Sequence, residues 1–210
     1  FADTAAAPGN QAVVTTKQFF KVAPGFAYRI SDRLALGATV NLNYQSLALS
    51  TPAYTLPQTQ GFGWGVTAGV VWKLADAVQL GAAWSSKQRM SELEWNTAAG
   101  KFSMRMDAPQ TLAVGLAWRP AQGLLVEADV KRIWFSQVLD RVAVERPAGY
   151  AGPIPAAMPF GWSDQTVFAL GVQKELSPST TVRVGYNYGA SPIGPEDVDT
   201  NIGSLAIVEH

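Results

Sequence analysis

The 210-residue chain has no cysteine, and its single histidine is the last residue, His210. The absence of cysteine excludes a disulfide scaffold, a thiol nucleophile and the usual structural zinc sites. Without an internal histidine, most hydrolytic and metal chemistry lacks its customary groups. The sequence therefore predicts neither a catalytic site nor a metal site nor a cofactor.

Charge is also scarce. Charged residues make up 15% of the chain, against roughly 25% in an ordinary globular protein. Lys and Arg balance Asp and Glu at 16 each, so there is no basic surface for a nucleic acid. Residues 34–72 lack charge altogether, yet prolines and amides interrupt this stretch before it reaches the about 18 apolar residues of a spanning helix.

Apolar residues alternate with small or polar ones, which is the period of a β-strand. Four hairpins are predicted, at about 18–49, 61–90, 109–138 and 164–189, and thus about eight strands. Short turns join the two strands of each hairpin. Longer connections, at 50–60, 91–108 and 139–163, join one hairpin to the next and lie at the opposite end of the sheet.

The two faces of these strands differ in composition. Even-numbered positions carry large apolar residues such as Leu36, Trp72 and Leu116, whereas odd-numbered positions are mostly Gly, Ala or polar. A soluble lipocalin-like barrel would expose charged residues on its second face, which is a poor match. A membrane barrel inverts the assignment, with apolar residues towards lipid and small residues in the lumen. Aromatic residues near both strand ends, such as Trp118 and Tyr188, match the girdles of such barrels.

Several segments resemble one family. Residues 109–138, 161–168 and 181–193, which include Trp-Ser-Asp-Gln and Tyr-Asn-Tyr-Gly, are similar to the FadL-type outer-membrane transporters of long-chain fatty acids and other hydrophobic compounds. The resemblance implies a bacterial outer-membrane location and a fourteen-stranded monomeric barrel in lipid, with a plugged lumen. It also implies that this chain is a single segment of that barrel, 1–210, without the N-terminal hatch and the terminal strands.

Passive transport of hydrophobic small molecules, long-chain fatty acids or aromatic hydrocarbons, is the function that this resemblance implies. A general porin, an outer-membrane enzyme and a soluble lipocalin-like binder are the alternatives. A Gly- and Ala-rich lumen disfavours the porin, and the missing histidine disfavours the enzyme.

Candidate site residues follow from the lumen phase of the strands and from one loop. Glu127, Asp129 and Lys131 form a polar ladder, and the lumen-phase cations are expected to pair with its acids. In the loop, Phe102, Met104 and Met106 either line a hydrophobic capture site or continue a strand above the membrane. The complete set of lumen-lining or ligand-binding candidates is Arg29, Asn41, Asn43, Lys73, Lys87, Arg89, Phe102, Met104, Met106, Glu127, Asp129, Lys131, Arg183 and Asn187.

Overall fold

A computed structural model describes residues 2–7, 11–197 and 201 of the chain, with side chains from residue 14 onward. The strands are β1 (Ala2–Ala7), β2 (Gln11–Val22), β3 (Gly25–Ser31), β4 (Leu34–Ser50), β5 (Thr55–Ala75), β6 (Val78–Ser85), β7 (Arg89–Met90), β8 (Leu93–Thr97), β9 (Gly100–Met104), β10 (Thr111–Ala121), β11 (Leu124–Ile133), β12 (Arg141–Glu145), β13 (Ala157–Pro159), β14 (Gln165–Ser177) and β15 (Thr180–Gly189). A one-turn helix, α1 (Ser136–Leu139), and a 3-10 turn at Pro195–Asp197 complete the described elements. Among these residues, no helix has the length and apolarity needed to cross a membrane.

The large sheet is an antiparallel meander in the order β1-β2-β4-β5-β6-β10-β11-β14-β15. β3 continues the line of β2 along β4, and β7 continues the line of β6 along β5. The sheet curls as part of a barrel, so the predicted all-β, up-and-down transmembrane fold is confirmed. Within the described residues, β1 and β15 each pair with a single neighbour and form the two edges.

Strand β1 adds a ninth line to the eight that the alternation predicts. It pairs with β2 from Ala2 opposite Thr16 to Ala7 opposite Gln11. Four of its six residues are alanine, so the strand carries no alternation between large and small residues. Only its pairing with β2 distinguishes it from a linker.

The outward face of the sheet is apolar over the height of a bilayer core. On β4 and β5, residue pairs of this face run from Leu34 opposite Trp72 to Tyr44 opposite Phe62. Ten residue steps at about 3.3 Å each, tilted by about 40°, give a band about 25 Å tall. Beyond Tyr44 the face becomes polar: Ser46 Oγ donates to Gln18 Oε1 of β2 and accepts a hydrogen bond from Gln58 Nε2 of β5. The band therefore ends at this level.

Side-chain exposure agrees with this assignment. Phe26 is 71% exposed, Val184 is 70% exposed and Tyr186 is 71% exposed, all at even-numbered positions. In a water-soluble protein, so many exposed large apolar side chains would form an aggregation-prone surface. In an outer-membrane barrel they contact lipid.

Above the band, two connections fold into a small second sheet. Strands β8, β9, β12 and β13 pair in the order β13-β12-β9-β8. These four strands, called the cap below, lie within the longer connections predicted at 91–108 and 139–163. Its apolar core, shared with the upper ends of β4 and β5, consists of Leu47, Leu56, Leu93, Trp95, Phe102, Met104, Met106, Leu139, Val142, Val144, Ile154 and Phe160.

Candidate functional site

A concavity of about 910 Å³ lies on the inner face of the sheet, within the height of the apolar band. Small side chains produce it, because glycine and alanine lie opposite one another across four strands. Gly37 of β4 faces Gly69 of β5, and Gly81 of β6 faces Gly115 of β10. Glu127 and Asp129 are the charged residues of its lining.

The glycines of this face leave space that a side chain could fill. A Cβ placed on Gly81 would have Val70 O, at 3.9 Å, as its nearest neighbour, and one placed on Gly171 would meet nothing within 4 Å. The backbone therefore does not require glycine at these two positions. Gly115 has no such space, because a Cβ placed there would collide with the Asp129 carboxylate.

The acidic ladder lies on β11 among small residues. Glu127 lies between Ala117 and Gly171 of the two neighbouring strands, and Asp129 lies between Gly115 and Ala169. In the part of the chain that the structure describes, neither carboxylate forms an ion pair. Lys131, two residues further along, is also outside these pairs. The predicted ion pairs between this ladder and the lumen cations are therefore wrong.

Two of the lumen-phase cations form ion pairs with carboxylates that are nearer in sequence than the ladder. Lys73 Nζ lies 2.8 Å from Asp76 Oδ1 at the β5–β6 turn, and Lys87 Nζ lies 3.6 Å from Asp107 Oδ2 beside the cap. Local pairs of this kind order less chain than pairs across the lumen do.

Two further lumen candidates lie on the last strands. Arg183 Nε donates to Gln173 Oε1 at 2.7 Å across β14 and β15, and Asn187 lies opposite Ala169. At the other end of the sheet, Arg29 of β3 lies opposite Ala35 of β4. These residues share the inner phase without meeting one another, since Arg29 and Arg183 belong to opposite ends of the strand order.

Arg89 does not face the lumen. The β5–β6 register ends with Thr67 opposite Ser85 and resumes with Gly63 opposite Met90. Four residues of β5 thus face five residues of the partner, which is a β-bulge, and one extra residue exchanges the two faces. Met90 takes the inner position over Gly63, and Arg89 pairs with Trp64 on the outer face.

Asn41 and Asn43 belong to a buried amide and hydroxyl network above the concavity. Asn41 Nδ2 donates to Thr67 Oγ1 at 2.9 Å, and Asn43 Nδ2 donates to Gln88 Oε1 at 3.1 Å. Ser85 Oγ accepts from Gln88 Nε2 at 3.2 Å. Gln88 was not among the predicted residues, because its position after the bulge hides its phase.

Phe102, Met104 and Met106 are buried rather than open to a capture surface. They are 1%, 4% and 3% exposed, respectively. Phe102 packs edge-on against Tyr150, with ring centroids 4.9 Å apart. Phe102 and Met104 belong to β9, which agrees with a strand above the membrane. The alternation that suggested a ligand site is that of a cap strand with one buried face.

The Trp-Ser-Asp-Gln segment, residues 162–165, leads into β14 and is hydrogen-bonded to residues at the end of β11. Ser136 Oγ donates to Asp164 Oδ1 at 2.7 Å, and Arg132 Nη2 donates to Asp164 Oδ2 at 3.2 Å. The hydrogen bond from the Ser136 hydroxyl is the largest cause of the lowered pKa of the Asp164 carboxyl. The backbone N–H of Ser136 and the positive charge of Arg132 lower this pKa further. Trp162 packs against Phe135, with ring centroids 4.9 Å apart. This cluster fixes the cap to the barrel wall.

The sequence profile of one protein family, described as "Outer membrane protein transport protein (OMPP1/FadL/TodX)", matches residues 2–203. The chain belongs to this family. Membership confirms the resemblance seen in the sequence and assigns the chain to the outer membrane of Gram-negative bacteria. The family consists of transport proteins. A search among curated proteins finds no match.

Solved structures of this fold are similar to the chain. The toluene transporter TodX of Pseudomonas putida is 23% identical, with a TM-score of 0.68, and the match covers 89% of this chain and 59% of TodX. The toluene transporter TbuX of Ralstonia pickettii is 20% identical, with a TM-score of 0.68, and the match covers 85% and 57%. A FadL homologue of Pseudomonas aeruginosa is 15% identical, with a TM-score of 0.71, and the match covers 92% and 55%. The chain thus spans somewhat more than half the length of these relatives.

Proposed function

We propose that the chain forms part of the wall of an outer-membrane channel through which hydrophobic small molecules, aromatic hydrocarbons or long-chain fatty acids, enter the cell passively. The inner concavity is the observation that carries this proposal. Its lining is largely glycine and alanine, with Glu127 and Asp129 on one side. Such a surface offers an apolar solute van der Waals contact and little competition from bound water.

The related structures support the same function. Two of them are described as toluene transporters and one as a FadL homologue. In the complete protein, the edge strands β1 and β15 pair with further strands, because unpaired strand edges in lipid are very unfavourable. The protein acts as a monomer in the lipid bilayer. No bond is made or broken during passage.

The first prediction fills the concavity. Gly81→Leu adds a side chain where a Cβ has 3.9 Å of clearance, so the fold tolerates it while the passage narrows. Uptake of a labelled monoaromatic hydrocarbon and of a labelled long-chain fatty acid, measured in cells carrying the complete protein, falls several-fold. Ala128→Leu is the matched control, because Ala128 lies one residue out of phase, between Leu116 and Leu170. It leaves uptake unchanged.

Two results would contradict the proposal. Equal uptake by Gly81→Leu and the wild type would show that ligands do not pass this wall. A large, steady ionic current through the purified protein in a planar bilayer, together with uptake of hydrophilic sugars, would indicate a general porin instead.

A further inference from the structure

Arg89 is an arginine on the lipid-facing side of the barrel wall. The bulge described above brings it opposite Trp64 of β5, and the residue is exposed. Phe62, where the apolar band ends, follows Trp64 by two residues towards the cap. Arg89 therefore lies one row, about 7 Å along the strand, inside the apolar band.

Arg89 has no carboxylate partner in the part of the chain that the structure describes. Glu92, three residues later, pairs with Arg105 at 3.2 Å, and Asp107 pairs with Lys87. A charge on the lipid face is unfavourable in a depth-dependent way, and a long side chain reduces this cost by extending to the interface. The guanidinium of Arg89 is therefore left to pair with an anion from outside the described chain, at the upper boundary of the membrane.

A row of amide donors lies directly above the band. Gln18 of β2 lies opposite Ser46 of β4, which in turn lies opposite Gln60 of β5. Gln18 Oε1 accepts from Ser46 Oγ at 3.2 Å, and Gln60 Oε1 accepts from Tyr44 Oη at 3.4 Å. Because neighbouring hydroxyls occupy these carbonyl oxygens, the Nε2 groups of the two exposed glutamines can donate to a ligand.

Large exposed rings lie beneath these donors. Phe20, Tyr44 and Phe62 are neighbours across three adjacent strands, and the Tyr44 and Phe62 rings meet edge-on with centroids 5.5 Å apart. Phe20 is 63% exposed, Phe62 is 62% exposed and Trp64 is 57% exposed. Rings at this level contact acyl chains, and the row above them lies at the height of lipid head groups. The surface thus combines apolar contacts for acyl chains with donors for an anionic sugar head group.

We propose that Arg89, Trp64, Gln60 and Gln18, called the lipid patch below, bind lipopolysaccharide, the phosphorylated glycolipid of the outer leaflet, with the guanidinium of Arg89 on a lipid A phosphate. The long connections and the cap mark the end of the barrel that faces this leaflet. A guanidinium binds two phosphate oxygens at once, and sugar hydroxyls are acceptors for the amides. The patch lies on the opposite face of the wall from the concavity, so this inference goes beyond the proposed channel and does not depend on it.

The test measures the binding of lipid A to the complete protein in detergent, as the rise in apparent unfolding temperature with lipid concentration. Lipid A, dephosphorylated lipid A and phosphatidylglycerol are each added to the wild type, Arg89→Gln and Arg89→Lys. Arg89→Gln is expected to lose about tenfold in affinity for lipid A, and Arg89→Lys to retain part of it, since an ammonium cannot bind two oxygens side by side. Dephosphorylated lipid A is expected to bind the wild type and Arg89→Gln equally. Heat-modifiable electrophoretic mobility verifies folding.

Lys174→Gln is the matched control. Lys174 is an exposed cation on the same outer face, but it lies at the tight-turn end of the barrel, opposite Leu124 of β11. This variant is expected to bind lipid A as the wild type does.

Three results would overturn the inference. One is an equal affinity of Arg89→Gln and the wild type for lipid A, and another is an equal loss of affinity in Lys174→Gln and Arg89→Gln. The third is binding of phosphatidylglycerol by the wild type as tightly as lipid A, because the patch would then not recognise the glycolipid of the outer leaflet. None of these results bears on the proposed channel, since the concavity lies on the other face.

Discussion

At the scale of single residues, the sequence specifies the phase of a side chain more reliably than its partners. Odd-numbered Glu127 and Asp129 do lie on the inner face, as their phase predicts. Their predicted partners were wrong, because Lys73 has a nearer carboxylate three residues away at the turn. The prediction that Arg89 faces the lumen is wrong as well, because one extra residue in the strand exchanges its two faces there. Alternation alone contains no signal for a bulge.

Asp164 supplies a prediction at this scale. Its hydrogen bonds to Ser136 and its pair with Arg132 hold its pKa below the usual value. Because the folded pKa is lowered, the stabilisation is fully present above the unfolded pKa of about 3.9 and is lost as the pH falls through the folded value. Asp164→Asn should therefore lower the apparent unfolding temperature at neutral pH, and this difference should shrink at lower pH.

The measurement is thermal unfolding followed by circular dichroism at a series of pH values. Asp32→Asn serves as the control, since Asp32 is an exposed turn residue outside the described ion pairs. It is expected to have little effect. A difference between Asp164→Asn and the wild type that stays constant down to the most acidic pH would contradict the assigned role.

At the scale of elements, the alternation predicted the membrane strands but, within the cap, indicated only a strand around Phe102 and Met104 as one of two alternatives. Residues 139–163 are rich in proline and glycine, and the strands within both connections are short, such as Leu93–Thr97 and Ala157–Pro159. Short strands offer too few alternating positions to stand out from a loop. Their stability comes from packing against one another and against the upper ends of β4 and β5, which is a tertiary effect.

Phe102→Ala tests the cap as a separate packed unit. Phe102 is 1% exposed in the cap core, and truncation of a buried Phe typically costs about 3–5 kcal/mol. The variant should therefore be cleaved faster by trypsin within the cap, at Lys101 or Arg105, while the barrel strands keep their circular dichroism and resist cleavage. Glu94→Ala, which removes an exposed partner of Lys101, should change the cleavage rate little. Equal cleavage of Phe102→Ala and the wild type would contradict this role of the core.

At the scale of the whole molecule, the account depends on the inversion of the two faces, with large apolar residues towards lipid and small residues towards the lumen. The sequence contained this information, because a charge-free apolar face opposite a Gly- and Ala-rich face fits no soluble barrel. The size and position of the concavity could not be predicted from the sequence, since both depend on which glycines become neighbours across strands. Gly37 beside Gly69 and Gly81 beside Gly115 follow only from the register.

Spin labels at neighbouring positions test this inversion most directly. The 210 residues contain no cysteine, so in this chain each introduced cysteine is a unique labelling site. Labels are attached to Leu80→Cys, Gly81→Cys, Leu170→Cys and Gly171→Cys in the complete protein, reconstituted in lipid. The account predicts that the two leucine positions are relaxed mainly by oxygen, which concentrates in lipid, and that the two glycine positions are protected from this relaxation. Equal oxygen accessibility at all four, or the reverse pattern, would contradict the assignment of the faces and with it the proposed channel.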